Sequence, residues 1–228
     1  MMKVIVIVGL LAALLIGDLF AGTLQPDAET QKKLTPESVL KDLMAGNERY
    51  TKGELSDPNV KARVEKAVEG QFPKAYILSC VDSRVPVEQV FDQSIGDIFV
   101  GRVAGNVEGT DQLGSIEFAT KVAGVKLVMV LGHEACGAVK GACDHVKLGN
   151  LTDLLAEITP AVESVEGHED RSSKNKEFVD DVIEANVRKT VADLRERSEV
   201  LAGLEKEGAV KIVGAIYSLH DGSVTLLD

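Results

Sequence analysis

Two stretches of this chain concentrate side chains able to do chemistry. The first reads Ile77-Leu78-Ser79-Cys80-Val81-Asp82-Ser83-Arg84-Val85-Pro86, and the second Val130-Leu131-Gly132-His133-Glu134-Ala135-Cys136-Gly137-Ala138. Cys80 stands at the end of one apolar run; His133 and Cys136 stand at the end of another, three residues apart. If those runs are neighbouring strands, two thiolates and one imidazole converge. That donor set, with a fourth position left for water, is the one that holds a catalytic zinc. Asp82 lies two residues past a candidate ligand and can accept a hydrogen bond from water on such a metal. Arg84, two residues further, can keep that carboxylate ionised and oriented. Taken singly, His-x-x-Cys arises often by chance and a buried cysteine is usually a small hydrophobe. The joint placement after strands, with Asp82 and Arg84 alongside, carries the inference.

The elements that must position these residues follow from apolar periodicity. Thr35-Pro36-Glu37 opens a helix, with an N-cap and a proline at the first helical position. Its stripe is Val39, Leu40, Leu43 and Met44, running to about Tyr50. Asp57-Pro58 repeats the start signal before a second helical face of Val60, Val64, Ala67 and Val68 that ends at Gly70. Short runs rich in β-branched residues then read as buried strands at 75–79, 98–103, 127–131 and 210–218. Helical segments near 111–123, 136–146, 151–165 and 175–207 separate them. Strands alternating with helices imply crossovers and a central, mostly parallel sheet flanked by helices. An Asp221-Gly222 turn leads into Ser223–Leu227 as an antiparallel edge hairpin. The fold class expected is α/β, with an N-terminal helical arm; in such sheets, sites collect at the carboxyl ends of strands.

Cys80-x-Asp82-x-Arg84 together with His133-x-x-Cys136-Gly137 resembles the signature of the β-class carbonic anhydrases. The likeness extends through Gly101-Arg102-Val103-Ala104-Gly105-Asn106, the segment Gly114-Ser115-Ile116-Glu117-Phe118-Ala119 and the end Gly214-Ala215-Ile216-Tyr217-Ser218. It spans roughly residues 35 to 228. The resemblance implies one zinc ion per subunit on Cys80, His133 and Cys136, and reversible hydration of carbon dioxide to bicarbonate and a proton. Asp82 would orient the attacking hydroxide, Arg84 would fix Asp82, and the Gly137 N–H would meet substrate oxygens. Phe99, Ala104 and Phe118 match apolar positions around the substrate, some of them supplied across a dimer interface, and are equally ordinary core residues. The resemblance also implies a homodimer or a tetramer. Members of this family come in two kinds, one with water on zinc and one, gated by pH, in which the motif Asp ligates the metal. The gated kind uses a Trp three residues before the first cysteine; that position is Ile77 here, and the chain has no Trp. Gln71 matches a substrate-contacting glutamine of the open kind, while Arg102 occurs in both. An open site, with Asp82 paired to Arg84, is therefore expected.

Composition narrows the alternatives. The 228 residues carry 25 Lys plus Arg against 36 Asp plus Glu, a net charge of −11, so no basic surface is available for nucleic acid or anionic lipid. Aromatic residues make up only 4%, which argues against a base-stacking surface. Three cysteines do not make a disulfide framework. Met1-Met2-Lys3 and the apolar run from Val4 to Ile16 read as a signal peptide over residues 1–21, followed by a linker over 22–34 and the catalytic domain over 35–228. An exported, periplasmic or secreted protein without stable membrane insertion is expected, although Leu19 is larger than the residue usually found three places before a cleavage site. Cys143 reads as a buried thiol, and His145, His168 and His220 as surface or turn residues. Asp181 and Glu184 receive no role. Two other readings keep the same residues: hydrolysis of carbonyl sulfide or carbon disulfide on the same scaffold, and a non-enzymatic zinc or thiol-redox module. Asp82 and Arg84 argue against the second, which needs neither.

Overall fold

The computed structural model describes residues 27–227. The expected signal segment, 1–21, and the first part of the expected linker lie outside them. The remainder of that linker is not extended: Ala28–Lys33 forms helix α1, capped by the Asp27 side chain on Thr30 N. It is anchored by Gln31, whose Nε2 donates to the carbonyls of Pro73 at 2.7 Å and Ala123 at 2.8 Å. Polar composition suggested a linker because the one residue that docks this helix is itself polar.

Helix α2, Pro36–Lys52, begins at a capping box in which Thr35 and Ser38 exchange side-chain and backbone hydrogen bonds. It ends at Gly53, whose φ of 71° is the left-handed conformation glycine tolerates best. Helix α3 is Val60–Ala67, as expected, but its apolar stripe does not enter the core. Val60, Val64 and Val68 are 53%, 52% and 88% exposed, while Arg63 is buried in an ion pair with Asp97 at 2.8 Å.

The sheet follows. Strand β1 is Ala75–Ser79, β2 Ile98–Arg102, β3 Leu127–His133, β4 Lys211–Tyr217 and β5 Val224–Leu227. Their order is β2-β1-β3-β4-β5, parallel throughout except for β5, which returns antiparallel on β4. Every residue of β1 and β3 is buried, as befits central parallel strands covered on both faces. Alternation splits them between two cores. Ile77 and Met129 pack with Leu43 of α2 and with Phe91 just beyond the short helix α4, Val87–Val90. Leu78 and Val130 pack with Ile116 of α5, Thr110–Glu117, and with Val187 and Leu194 of α9, Lys176–Arg197. A third cluster lies beyond the carboxyl ends of the strands. It joins Cys80 and Cys136 to Val139 of α6 (Gly137–Cys143), Ile158, and Phe178 and Val182 of α9.

Two expected helices are each two. The 151–165 segment splits into α7, Leu151–Ala156, and α8, Thr159–Ser164. Pro160 lacks the N–H and the room needed to continue the first. The 175–207 segment breaks at Ser198, whose hydroxyl caps α10, Glu199–Lys206, by accepting from Leu201 N at 3.2 Å. Among the described residues, no helix is long and apolar enough to cross a membrane.

Asn47 of α2 ties these layers together. Its buried amide donates to the carbonyls of Val90 at 3.1 Å and Gly222 at 2.8 Å and accepts from Val224 N at 2.9 Å. Asn47→Ala leaves three main-chain groups without partners and should cost about 3 kcal/mol. Urea unfolding measures it, and a loss under about 1 kcal/mol would mean that water replaces the amide.

Candidate metal centre

β1 and β3 lie side by side with Ser79 opposite Leu131, so the residues that follow them emerge together. Cys80 is the first residue past β1, and His133 is the last of β3, two residues further along than the periodicity indicated. Cys136 sits at the entry to α6. The two Sγ atoms are 4.0 Å apart, and the three donor atoms all lie within 4.8 Å of one another. All three side chains are buried.

Each donor is held for this arrangement. His133 Nδ1 lies 2.9 Å from the carbonyl oxygen of Glu134, which makes Nδ1 the protonated nitrogen and leaves a lone pair on Nε2. Nε2 is buried and finds no hydrogen-bond partner among the described residues. The hydrogen bond from the Cys136 thiol pulls the Cys80 pKa down to about 4 against the effect of burial, helped by Gly105 N–H at 3.4 Å. The same contact, with burial, pushes Cys136 far up. One proton leaves this pair easily and the other is held, because a second negative charge in a buried site has no counter-charge. A divalent cation would supply it. Two thiolates and an imidazole whose lone pair has no protein partner fit zinc.

Asp82 stands beside this cluster but belongs to Arg84. Arg84 donates from Nε to Oδ1 at 2.9 Å, from Nη2 to Oδ2 at 2.7 Å and from its backbone N to Oδ1 at 2.9 Å. These bonds hold the carboxyl far below the usual carboxylate range. Its Oδ2 is 3.9 Å from His133 Nε2. Sequence reasoning left out of the site three residues that fix this geometry. Arg102 donates to the carbonyls of Cys80 at 2.9 Å and Asp82 at 2.5 Å, clamping the backbone between them. Gly105, at φ 74°, brings its N–H to Cys80; a Cβ there would stand 2.6 Å from Ile158 Cδ1. Asn186 of α9 donates to Gly105 O at 2.8 Å. The glycine and arginine were visible inside the Gly101–Asn106 motif, but nothing marked Asn186, a buried polar residue in mid-helix.

The other expected site residues are dispersed. Gly137 opens α6, directly after Cys136, and Ala104 adjoins Gly105 beside the cluster. Phe99 and Phe118, with ring centroids 6.4 Å apart, line an open groove of about 790 Å³ along β2 together with Tyr76 and Arg102. Phe118 is 49% exposed there. Gln71 is exposed and precedes β1, so the whole strand separates it from Cys80. Cys143 is a buried thiol, its pKa pushed up to about 11 by burial. His145 and His220 are exposed. His168 is more ordered than expected, pairing with Asp181 at 2.7 Å and packing on Phe178.

Residues 75–224 match the family model described as carbonic anhydrase. The chain is 40% identical over 200 residues to Carbonic anhydrase 2 of Mycobacterium tuberculosis, covering 85% of this chain and 93% of that one. It aligns with the crystal structure of the β-carbonic anhydrase CafA of Aspergillus fumigatus with a TM-score of 0.63 at 26% identity, over 84% of this chain and 89% of that one. A structure described with two tetrameric β-carbonic anhydrases of Sordaria macrospora aligns with a TM-score of 0.63 at 20% identity, over 83% and 93%.

The thiol geometry makes a prediction about metal removal. Metal-free protein treated with diamide should lose Cys80 and Cys136 to a disulfide, because the 4.0 Å gap needs only a small closure to the ~2.05 Å of a bond. Zinc-loaded protein should keep three alkylatable thiols after denaturation. Equal oxidation of both forms would show that the thiols do not hold the metal.

Proposed function

The chain belongs to the β-class carbonic anhydrases, and from that premise we propose that it is a zinc enzyme interconverting carbon dioxide and bicarbonate. The observation that carries this reading is the buried Cys80–His133–Cys136 cluster with Asp82 held beside it by Arg84. Zinc on these three donors would supply Lewis acidity, lowering the pKa of water to about 7 so that a nucleophile exists at neutral pH. The rest is the work of side chains. Ionised Asp82 can only accept hydrogen bonds, so it would accept one from the attacking hydroxyl and turn that oxygen's lone pair toward the carbon. Arg84 keeps that acceptor charged and fixed in direction. Gly137, at the start of α6, offers its N–H to the oxygen on which charge develops. Apolar residues behind the thiols, Val139, Ile158 and Phe178 among them, keep water from that side of the cluster.

We also infer a dimer or tetramer. What supports it is apolar surface left uncovered among the described residues: Val60, Val64 and Val68 on α3, and Phe118 beside the edge of β2 that no described strand pairs. A second copy is also what would bring Gln71 and a closing wall to the Phe99 groove. Export with cleavage near Gly22 is proposed from Met1 to Ala21 alone; the released chain keeps its −11 charge, losing one base and one acid. An intact Met1 on exported material, read by mass spectrometry, would reject cleavage.

Stopped-flow hydration of carbon dioxide tests the main reading. Activity should vanish with a chelator and return with zinc. Asp82→Asn should keep its zinc and lose activity by about 10²-fold. A carboxyl with a depressed pKa loses its charge only as pH falls through that low value, so nothing in Asp82 titrates between pH 6 and 9. Activity should therefore persist near pH 7. A steep loss just below pH 8, or Asp82 within ~2.2 Å of zinc in a metal-bound structure, would show a gated site instead.

A further inference from the structure

Only Glu134 and Ala135 separate the ligands His133 and Cys136, and this short link is under strain. Ala135 has a φ of 53°, the left-handed region that is unfavourable for a residue with a Cβ. Such a conformation persists only where the surroundings hold it. The holding group is Glu134. Its N–H donates to Tyr217 O at 3.2 Å, and its Oε2 accepts from Leu219 N at 2.8 Å and, at longer range, from Ser218 Oγ at 3.4 Å. Backbone and side chain of one residue therefore grip the same three residues leaving β4.

That grip has a firm anchor. The turn is closed by Ser218 N to Ser223 O at 2.8 Å and by Gly222 N to Ser218 O at 3.0 Å. Asn47 fixes it to α2 through Gly222 O and Val224 N. The residue so anchored also owns the carbonyl oxygen that His133 Nδ1 addresses at 2.9 Å. Imidazole orientation is thus set by a peptide whose position depends on the Glu134 carboxylate. His220 is 78% exposed and brings its Nε2 only to 3.9 Å from the Glu134 carboxylate, too far to share the hydrogen bond.

We propose that Glu134 is a positioning residue for the metal: its carboxylate, clasped on Leu219 N, fixes the carbonyl that orients His133 and so aims Nε2 at the two thiols. The inference rests on the zinc reading above. Hydrogen-bond partners of ligating histidines typically contribute 10–100-fold to metal affinity. Here the effect is exerted one step further out, through the carbonyl's position, so the lower end of that range applies.

The test measures affinity for zinc alone, and for cobalt alone, by competition with a chromophoric chelator in the full chain. Glu134→Ala should bind zinc about 10-fold more weakly and shift the thiolate-to-cobalt absorption bands. Glu134→Asp keeps the charge but withdraws the acceptor by one methylene, and should fall with it. Glu134→Gln keeps an oxygen that can accept from Leu219 N and should stay within about 2-fold of wild type. Circular dichroism of the metal-free proteins checks the fold, and the Asp variant carries the test if the Ala variant does not fold. Unchanged affinity and cobalt spectrum in the Ala and Asp variants would overturn the inference, as would a Gln variant as weak as Ala. Wild-type protein that takes up neither metal would overturn the zinc reading and this inference with it. Tight wild-type binding beside equally tight variants overturns this inference alone.

Discussion

Parallel pairing of β1 with β3 is the constraint on which the remainder of the molecule depends. The ladder sets Ser79 opposite Leu131, so Cys80 leaves one strand where His133 ends the other. Side chains alternate between faces along a strand, so a slip of one residue would exchange the Ile77 and Leu78 faces. It would also carry Cys80 away from His133. Such a slip is strongly opposed because both strands are buried throughout and their large apolar residues divide between two distinct cores. The apolar packing that stabilises the sheet therefore also sets the geometry of the candidate metal centre.

Electrostatics then divides the acidic groups by task. Cys80 and Cys136 share a proton in a buried site, so one thiolate forms readily and the second needs a cation. Asp82, close by, has that need met already: its two oxygens are occupied by Arg84 in a forked, charge-assisted pair. A carboxylate so satisfied gains little by becoming a ligand, while an unpartnered imidazole nitrogen and a pair of thiols gain much. This contrast, rather than distance alone, sets Asp82 apart from the three donors.

The donors themselves are held by distant parts of the chain. Arg102, just before the turn after β2, clamps the carbonyls around Cys80; Asn186 of α9 holds Gly105, which reaches the Cys80 sulfur; Glu134 fastens the His133–Cys136 link to the turn beyond β4. Three separate elements thus restrain three adjacent pieces of backbone. Each restraint is a side chain bonded to main chain, which fixes position more firmly than a contact between two mobile side chains.

How much of this was legible in the residues can be judged from particular cases. Strand positions, the alternation of strands with helices, the C-terminal hairpin and the five residues from Cys80 to Cys136 that form the centre all follow from local pattern, since burial on both faces demands continuous β-branched runs and ligands must follow strand ends. The break at Pro160 was legible in principle from proline's missing N–H; the one at Ser198 rests on a cap that periodicity averages over. Helix α1 and Asn186 were not legible, because Gln31 and Asn186 are placed by side-chain hydrogen bonds to carbonyls far along the chain. The exposure of Val60, Val64 and Val68 was hidden for a related reason: an apolar stripe states that a helix face avoids water, not which surface covers it. Residue types and their spacing thus determined which chemistry this protein is equipped for. Only the tertiary structure decided which partner each polar group has, because those hydrogen bonds join residues that local pattern cannot bring together.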